Sequence, residues 1–95
     1  MGQLLYGSPP VTFEFDDRAL AHIELVTLAK LRRNEHFAFS IDTPDDGRTT
    51  IWIGTSIPLQ FRFGVARHEI NRQWLDVLLD SANSTTGMRF TPEDA

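Results

Sequence analysis

The 95-residue chain has no cysteine, a single lysine (Lys30) and no long apolar run. Each shortage removes a class of chemistry. Without thiols there are no disulfides, thiolate nucleophiles, zinc ribbons or iron–sulfur clusters. The lone lysine lies in Lys30-Leu31-Arg32-Arg33, so there is no G-x-x-x-x-G-K-[ST] phosphate loop. No segment approaches the ~18 apolar residues that a membrane helix needs. Met1 to Pro10 has neither the basic region nor the apolar run of a signal peptide. Gly2 fits the start of a myristoylation motif, but Tyr6 stands where that motif wants serine or threonine. The expectation is a cytoplasmic protein with no membrane partner. Positive charge is also short. Nine basic against 13 acidic residues give a net charge of -4 and a pI near 5.2, which weakens nucleic-acid binding by bulk charge while leaving a local basic patch open.

What is present suffices for one small core. Hydrophobic residues make up 41% of the chain and include seven phenylalanines, too many for a disordered segment. Length allows a single domain over residues 1–95, and the acidic end, residues 92–95, reads as a frayed tail.

Hydrophobic periodicity sets the element order. Val11, Phe13 and Phe15 alternate with Thr12 and Glu14, the pattern of a strand with one buried face. Leu4 to Tyr6 forms a short strand before it, across the Gly7-Ser8-Pro9-Pro10 turn. Asp16 or Asp17 then caps a helix, and with Asp16 as the cap Phe15 and Leu20 form a hydrophobic staple. Leu20, Ile23, Thr27, Leu28 and Leu31 share one face of that helix, with His22 on its outer side and Asn34 as the stop. Phe37, Phe39 and Ile41 define the next strand, which turns through Pro44-Asp45-Asp46-Gly47, with the positive backbone dihedral expected at Gly47. Thr49 to Ile53 and Ile57 to Phe63 complete a three-strand meander. After Gly64 the period becomes helical, with Ile70, Trp74, Val77, Leu78 and Ser81 on one face, and Met88 to Phe90 ends as a short strand. The expected fold is α+β: a small antiparallel sheet, a meander plus flanking short strands, with two amphipathic helices on one face.

No catalytic constellation emerges from the residue types. Asp42 to Gly47 imitates a calcium loop, but Pro44 takes the third ligand place and Ile53 the twelfth. His22, His36 and His68 have no metal-ligand spacing, and Gly54-Thr55-Ser56 is no nucleophile elbow. Asp16-Asp17 reads as a helix cap rather than a paired acid and base. No cofactor is expected. The candidate contact residues are Trp52, Arg62, Arg48, Arg32, Arg33 and Arg89. An exposed aromatic flanked by arginines suits either self-association or stacking on single-stranded nucleic acid.

Leu4-Leu5-Tyr6-Gly7, Phe15-Asp16-Asp17-Arg18, Lys30-Leu31-Arg32-Arg33, Ile51-Trp52-Ile53 and Ile57-Pro58-Leu59-Gln60-Phe61 resemble a family of short, functionally uncharacterised actinobacterial proteins. The resemblance continues in Ile70-Asn71-Arg72 with Trp74 and in Ser81-Ala82-Asn83-Ser84, and so spans the whole chain. That family often carries the label of an ATP-dependent DNA ligase, but the resemblance implies no catalytic residues. Such ligases attack ATP with a lysine in a K-x-D-G setting, whereas Lys30 is followed by Leu31, Arg32 and Arg33. The leading expectation is therefore a non-enzymatic, homodimeric interaction module. The alternative is an accessory that touches nucleic acid during ligation or repair.

Overall fold

The computed structural model describes residues 1–65 and 68–93. The elements run β1 (Gly2–Tyr6), β2 (Val11–Phe15), α1 (Asp17–Leu31), β3 (Phe37–Asp42), β4 (Arg48–Ile53), β5 (Leu59–Arg62), α2 (Arg72–Ala82) and β6 (Met88–Arg89). The class is α+β, as the periodicity indicated.

Local chemistry explains the boundaries. β1 and β2 pair antiparallel from Gly2↔Phe15 to Tyr6↔Val11, and Gly7 opens their turn at φ 83°, a left-handed conformation that costs glycine little. Asp16 caps α1: its Oδ1 accepts the Ala19 amide at 2.8 Å, and Phe15 and Leu20 are both buried at the staple positions. At the far end Asn34 takes φ 56°, and the Glu35 amide donates to the Lys30 carbonyl, closing the helix. In the β3–β4 turn the positive φ falls on Asp46 (63°) rather than on the expected Gly47. Aspartate tolerates this region better than most residues. At Gly47, a Cβ would lie 2.7 Å from the Thr43 hydroxyl oxygen.

The expected meander does not form. β4 pairs with β3, but β5 pairs with β1 (Leu4↔Phe61, Tyr6↔Leu59), so there are two three-stranded sheets, β2-β1-β5 and β4-β3-β6. Residues 54–58 separate β5 from β4, and the Gly7 amide takes the Pro58 carbonyl, steering the chain to β1. Both sheets drain into one core. Phe15 of the first stacks on Phe39 of the second at 6.2 Å, and Leu20, Ile23, Val26, Trp74 and Leu78 close it from the helices.

The buried stripe of α1 also differs from the expected one. It runs Ala19, His22, Ile23, Val26, Thr27 and Lys30, beside Leu20, while Leu28 is 48% exposed. His22, expected on the outer side, is fully buried against Trp74, with ring centroids 4.4 Å apart. Its Nδ1–H donates to the Arg18 carbonyl (2.7 Å), and its Nε2 accepts the Asn71 amide (2.9 Å). Both ring nitrogens thus have backbone partners, which is how an imidazole is accommodated in a core. On α2, Trp74, Leu78 and Ala82 are buried but Val77 is 49% exposed.

The end of the chain is held as far as Glu93. Trp74 Nε1–H donates to the Thr91 carbonyl, Arg18 grips Glu93 through Nε and Nη2 (2.9 and 2.8 Å), and Asn71 Nδ2 donates to Glu93 at 2.8 Å. The expected fraying from residue 92 therefore does not apply to Glu93, and residues 94–95 lie outside the described residues.

Candidate functional site

β3 and β4 decide what the second sheet shows to its surroundings. The Thr43 amide donates to the Gly47 carbonyl at 2.8 Å, which makes that couple a hydrogen-bonded pair. Antiparallel pairs alternate, so Asp42↔Arg48, Ser40↔Thr50 and Ala38↔Trp52 are the close, non-hydrogen-bonded ones. Ser40 and Thr50 confirm it, their hydroxyl oxygens being 2.9 Å apart across the strands. The side chains of these pairs share the outer face. Phe37, Phe39, Ile51 and Ile53 take the other face and are buried.

Three of the six candidate residues meet on this outer face. Trp52 and Arg48 lie on β4, and Arg89 on β6 pairs in register with Ser40. Trp52 is 56% exposed, whereas Trp74 is only 6% exposed. Charge is balanced rather than massed: Asp42 stands opposite Arg48 in register and 3.6 Å from Arg89. The other three candidates are elsewhere. Arg62 is on β5 in the first sheet, opposite Gln3, and does not share the Trp52 face as the single-sheet expectation required. Arg32 is the C-cap of α1, and Arg33 lines an interhelical cleft of about 440 Å³ with Lys30, Asp76 and Asp80.

Beside Trp52 the face sinks into a groove of about 260 Å³ whose lining includes Ala38, Gly87, His36, Ser84, Thr85 and Lys30. Small residues from two segments, Ala38 on β3 and Ser84, Thr85 and Gly87 after α2, leave the space. Gly87 sits so close to β3 that a Cβ would lie 2.5 Å from the Ala38 carbonyl oxygen, and its φ is 83°. His36 and Tyr6 belong to this site although neither stood out in the sequence. The His36 ring stacks on Trp52 at 6.2 Å and 12°, and the Tyr6 hydroxyl donates to the Trp52 carbonyl at 2.7 Å. His36 carried a faint signal, lying beside a strand that pairs with the tryptophan. Tyr6 carried none, because its partner belongs to the other sheet.

Chemistry elsewhere is structural. Lys30 is buried, donating to Asn83 Oδ1 at 2.6 Å with Glu35 at 3.2 Å, so its ammonium braces the helix ends. Asp17 accepts the Gly64 and Val65 amides (3.1 and 2.8 Å), and these bonds, Gly64 first, hold its carboxyl below the ordinary range. The N-terminal amine at 3.8 Å and His68 at 3.6 Å add to this. Glu93 is lowered to about 2, by its bonds from Arg18 first and Asn71 second. Among the described residues no three His, Asp or Glu side chains converge on a metal position.

The molecule is thus an α+β domain with one sheet face left open around a tryptophan. The chain belongs to the family described as Domain of unknown function (DUF7882), whose pattern matches residues 1–93. No curated protein and no solved structure matches it. Among the described residues, no helix is long and apolar enough to cross a membrane.

Proposed function

We propose that this protein is a non-enzymatic cytoplasmic interaction module that self-associates as a homodimer through the sheet region around Trp52. One observation carries the reading: a tryptophan, 56% exposed, on the outer strand β4, with its side chain on the face opposite the buried Phe37, Phe39, Ile51 and Ile53. Tryptophan and arginine are the residues that most often anchor interfaces, and Arg48 shares the strand and the face with Trp52. The small, charge-balanced surroundings favour a protein surface over a polyanion. Sedimentation equilibrium at micromolar concentration tests the reading: the protein sediments as a dimer, and Trp52→Glu weakens it at least about tenfold. A monomer at every concentration refutes it, and a dimer indifferent to Trp52→Glu moves the interface elsewhere.

The second reading is a nucleic-acid contact made in an accessory role to DNA ligation or repair. It is favoured by the meeting of Trp52, Arg48 and Arg89 on one face, since stacking with phosphate contacts is how a sheet holds a single strand. Asp42, 3.6 Å from Arg89, works against it. Binding of a labelled oligonucleotide, with affinity falling steeply as salt rises, would favour this reading over the first.

A further inference from the structure

The free edge of β4 gives the proposed association a definite geometry. In the order β4-β3-β6, β4 is an outer strand, and no strand among the described residues pairs with its far side. Because the pairs at 48, 50 and 52 are the non-hydrogen-bonded ones, the amides and carbonyls of Arg48, Thr50 and Trp52 all point away from β3. That makes three donors and three acceptors in a row. Only the Trp52 carbonyl has a partner among the described residues, the Tyr6 hydroxyl. The strand itself, Arg-Thr-Thr-Ile-Trp-Ile, has no proline and no glycine. Such an edge is a template for another strand, and a charge such as Arg48 is a common device against indiscriminate pairing.

We infer that two copies of this chain join edge to edge through β4, antiparallel about a twofold axis at Thr50. The inference rests on the self-association reading and specifies its partner and register. Five self-pairings set outward-pointing residues of β4 opposite one another, and centring on Arg48 or on Trp52 pairs only that residue with its copy, leaving the other two facing residues outside β4. Centring on Thr49 leaves Trp52 facing Asp46, and centring on Ile51 leaves Arg48 facing Gly54. Centring on Thr50 places Thr50 against Thr50 and Arg48 against Trp52, and so uses all three residues of each copy. The Trp52 carbonyl can keep Tyr6 and still accept the partner's amide, since it has two lone pairs. Side chains agree with the backbone. Arg48 and Trp52 of opposite copies become direct neighbours on the outer face, twice by symmetry, a cation–π arrangement that protects the same edge from other strands. β2, one of the two outer strands of the first sheet, lacks this property: centred on Phe13 it sets Glu14 against Thr12, with no opposite charge or aromatic to meet it.

The absence of cysteine supplies a clean test. At a hydrogen-bonded antiparallel pair the Cα atoms are ~5.5 Å apart, within the span of a disulfide. Thr50→Cys is therefore expected to give a covalent dimer under mild oxidation. Arg48→Cys is not, because its two copies stand several residues apart in this register. In unmodified protein, Arg48→Glu is expected to weaken the dimer about tenfold, and adding Trp52→Arg to that variant is expected to recover affinity by setting opposite charges across the pair. A dimer in which Thr50→Cys cross-links no faster than Arg48→Cys overturns the β4 pairing while leaving self-association standing. A monomer throughout overturns both. Circular dichroism of each variant separates a lost interface from a lost fold.

Discussion

Glu93 shows how one residue near the end of the chain acts on the whole fold. Arg18 and Asn71 bond its charged form and hold its carboxyl near 2, against an ordinary value of 4.5. A depressed carboxyl contributes stability that is fully present above its unfolded value and is lost as pH falls through its folded value. Acid should therefore weaken the protein between about pH 4.5 and about pH 2, with Asp17 acting in the same direction. Glu93→Gln is expected to lower the urea midpoint at pH 7 and to reduce its fall between pH 7 and pH 3. An unchanged pH dependence would show that Asp17 and other carboxyls dominate. Phenylalanines divide by the same kind of local accounting. Phe39 is fully buried at the junction of the sheets, and Phe39→Ala should cost ~3–5 kcal/mol in urea denaturation. Phe61 only packs partly buried against the core, so Phe61→Ala should cost distinctly less.

At the scale of elements, strands were legible and helix faces less so. Alternation identified β2 to β5 because one face of each strand is apolar and the other polar. The buried stripe of α1 was hidden because His22, Thr27 and Lys30 occupy it, and hydropathy assigns such residues to the surface. Only their regular spacing with Ala19, Ile23 and Val26 marked it. The start of α2 was blurred for a related reason: Asn71 works in three directions at once. Its Oδ1 accepts the Gln73 and Trp74 amides, its Nδ2 donates to Glu93, and its own amide donates to His22. Asn71→Asp isolates one of these contacts. The cap is kept, since aspartate caps as well as asparagine, but the donor to Glu93 becomes a second carboxylate. The variant is expected to lose stability at pH 7 and to approach the parent as pH falls and the carboxylates take up protons. A variant as stable as the parent at pH 7 would show that the bond to Glu93 contributes nothing.

The whole molecule consists of two small sheets sharing one core, and that division is what the sequence concealed most completely. β5 has the same period whether its neighbour is β4 or β1, because periodicity reports which face is buried and not which strand lies alongside. The same blindness placed Arg62 beside Trp52. The sheets meet at Tyr6, whose ring comes from β1 and whose hydroxyl donates to the Trp52 carbonyl on β4. Tyr6→Phe removes that hydroxyl and leaves the ring. The hydrogen bond is exposed, so the loss should be modest, at most about 1 kcal/mol of stability by urea denaturation. The effect on association should have a different sign. With the hydroxyl gone, the Trp52 carbonyl becomes wholly available to the partner's Arg48 amide, and the Tyr6→Phe dimer should be at least as tight as the parent. A protein less stable as a fold yet undiminished as a dimer would locate the hydroxyl as a clasp between sheets. A dimer weakened in step with the fold would instead place Tyr6 inside the interface and count against β4 pairing in the form drawn above.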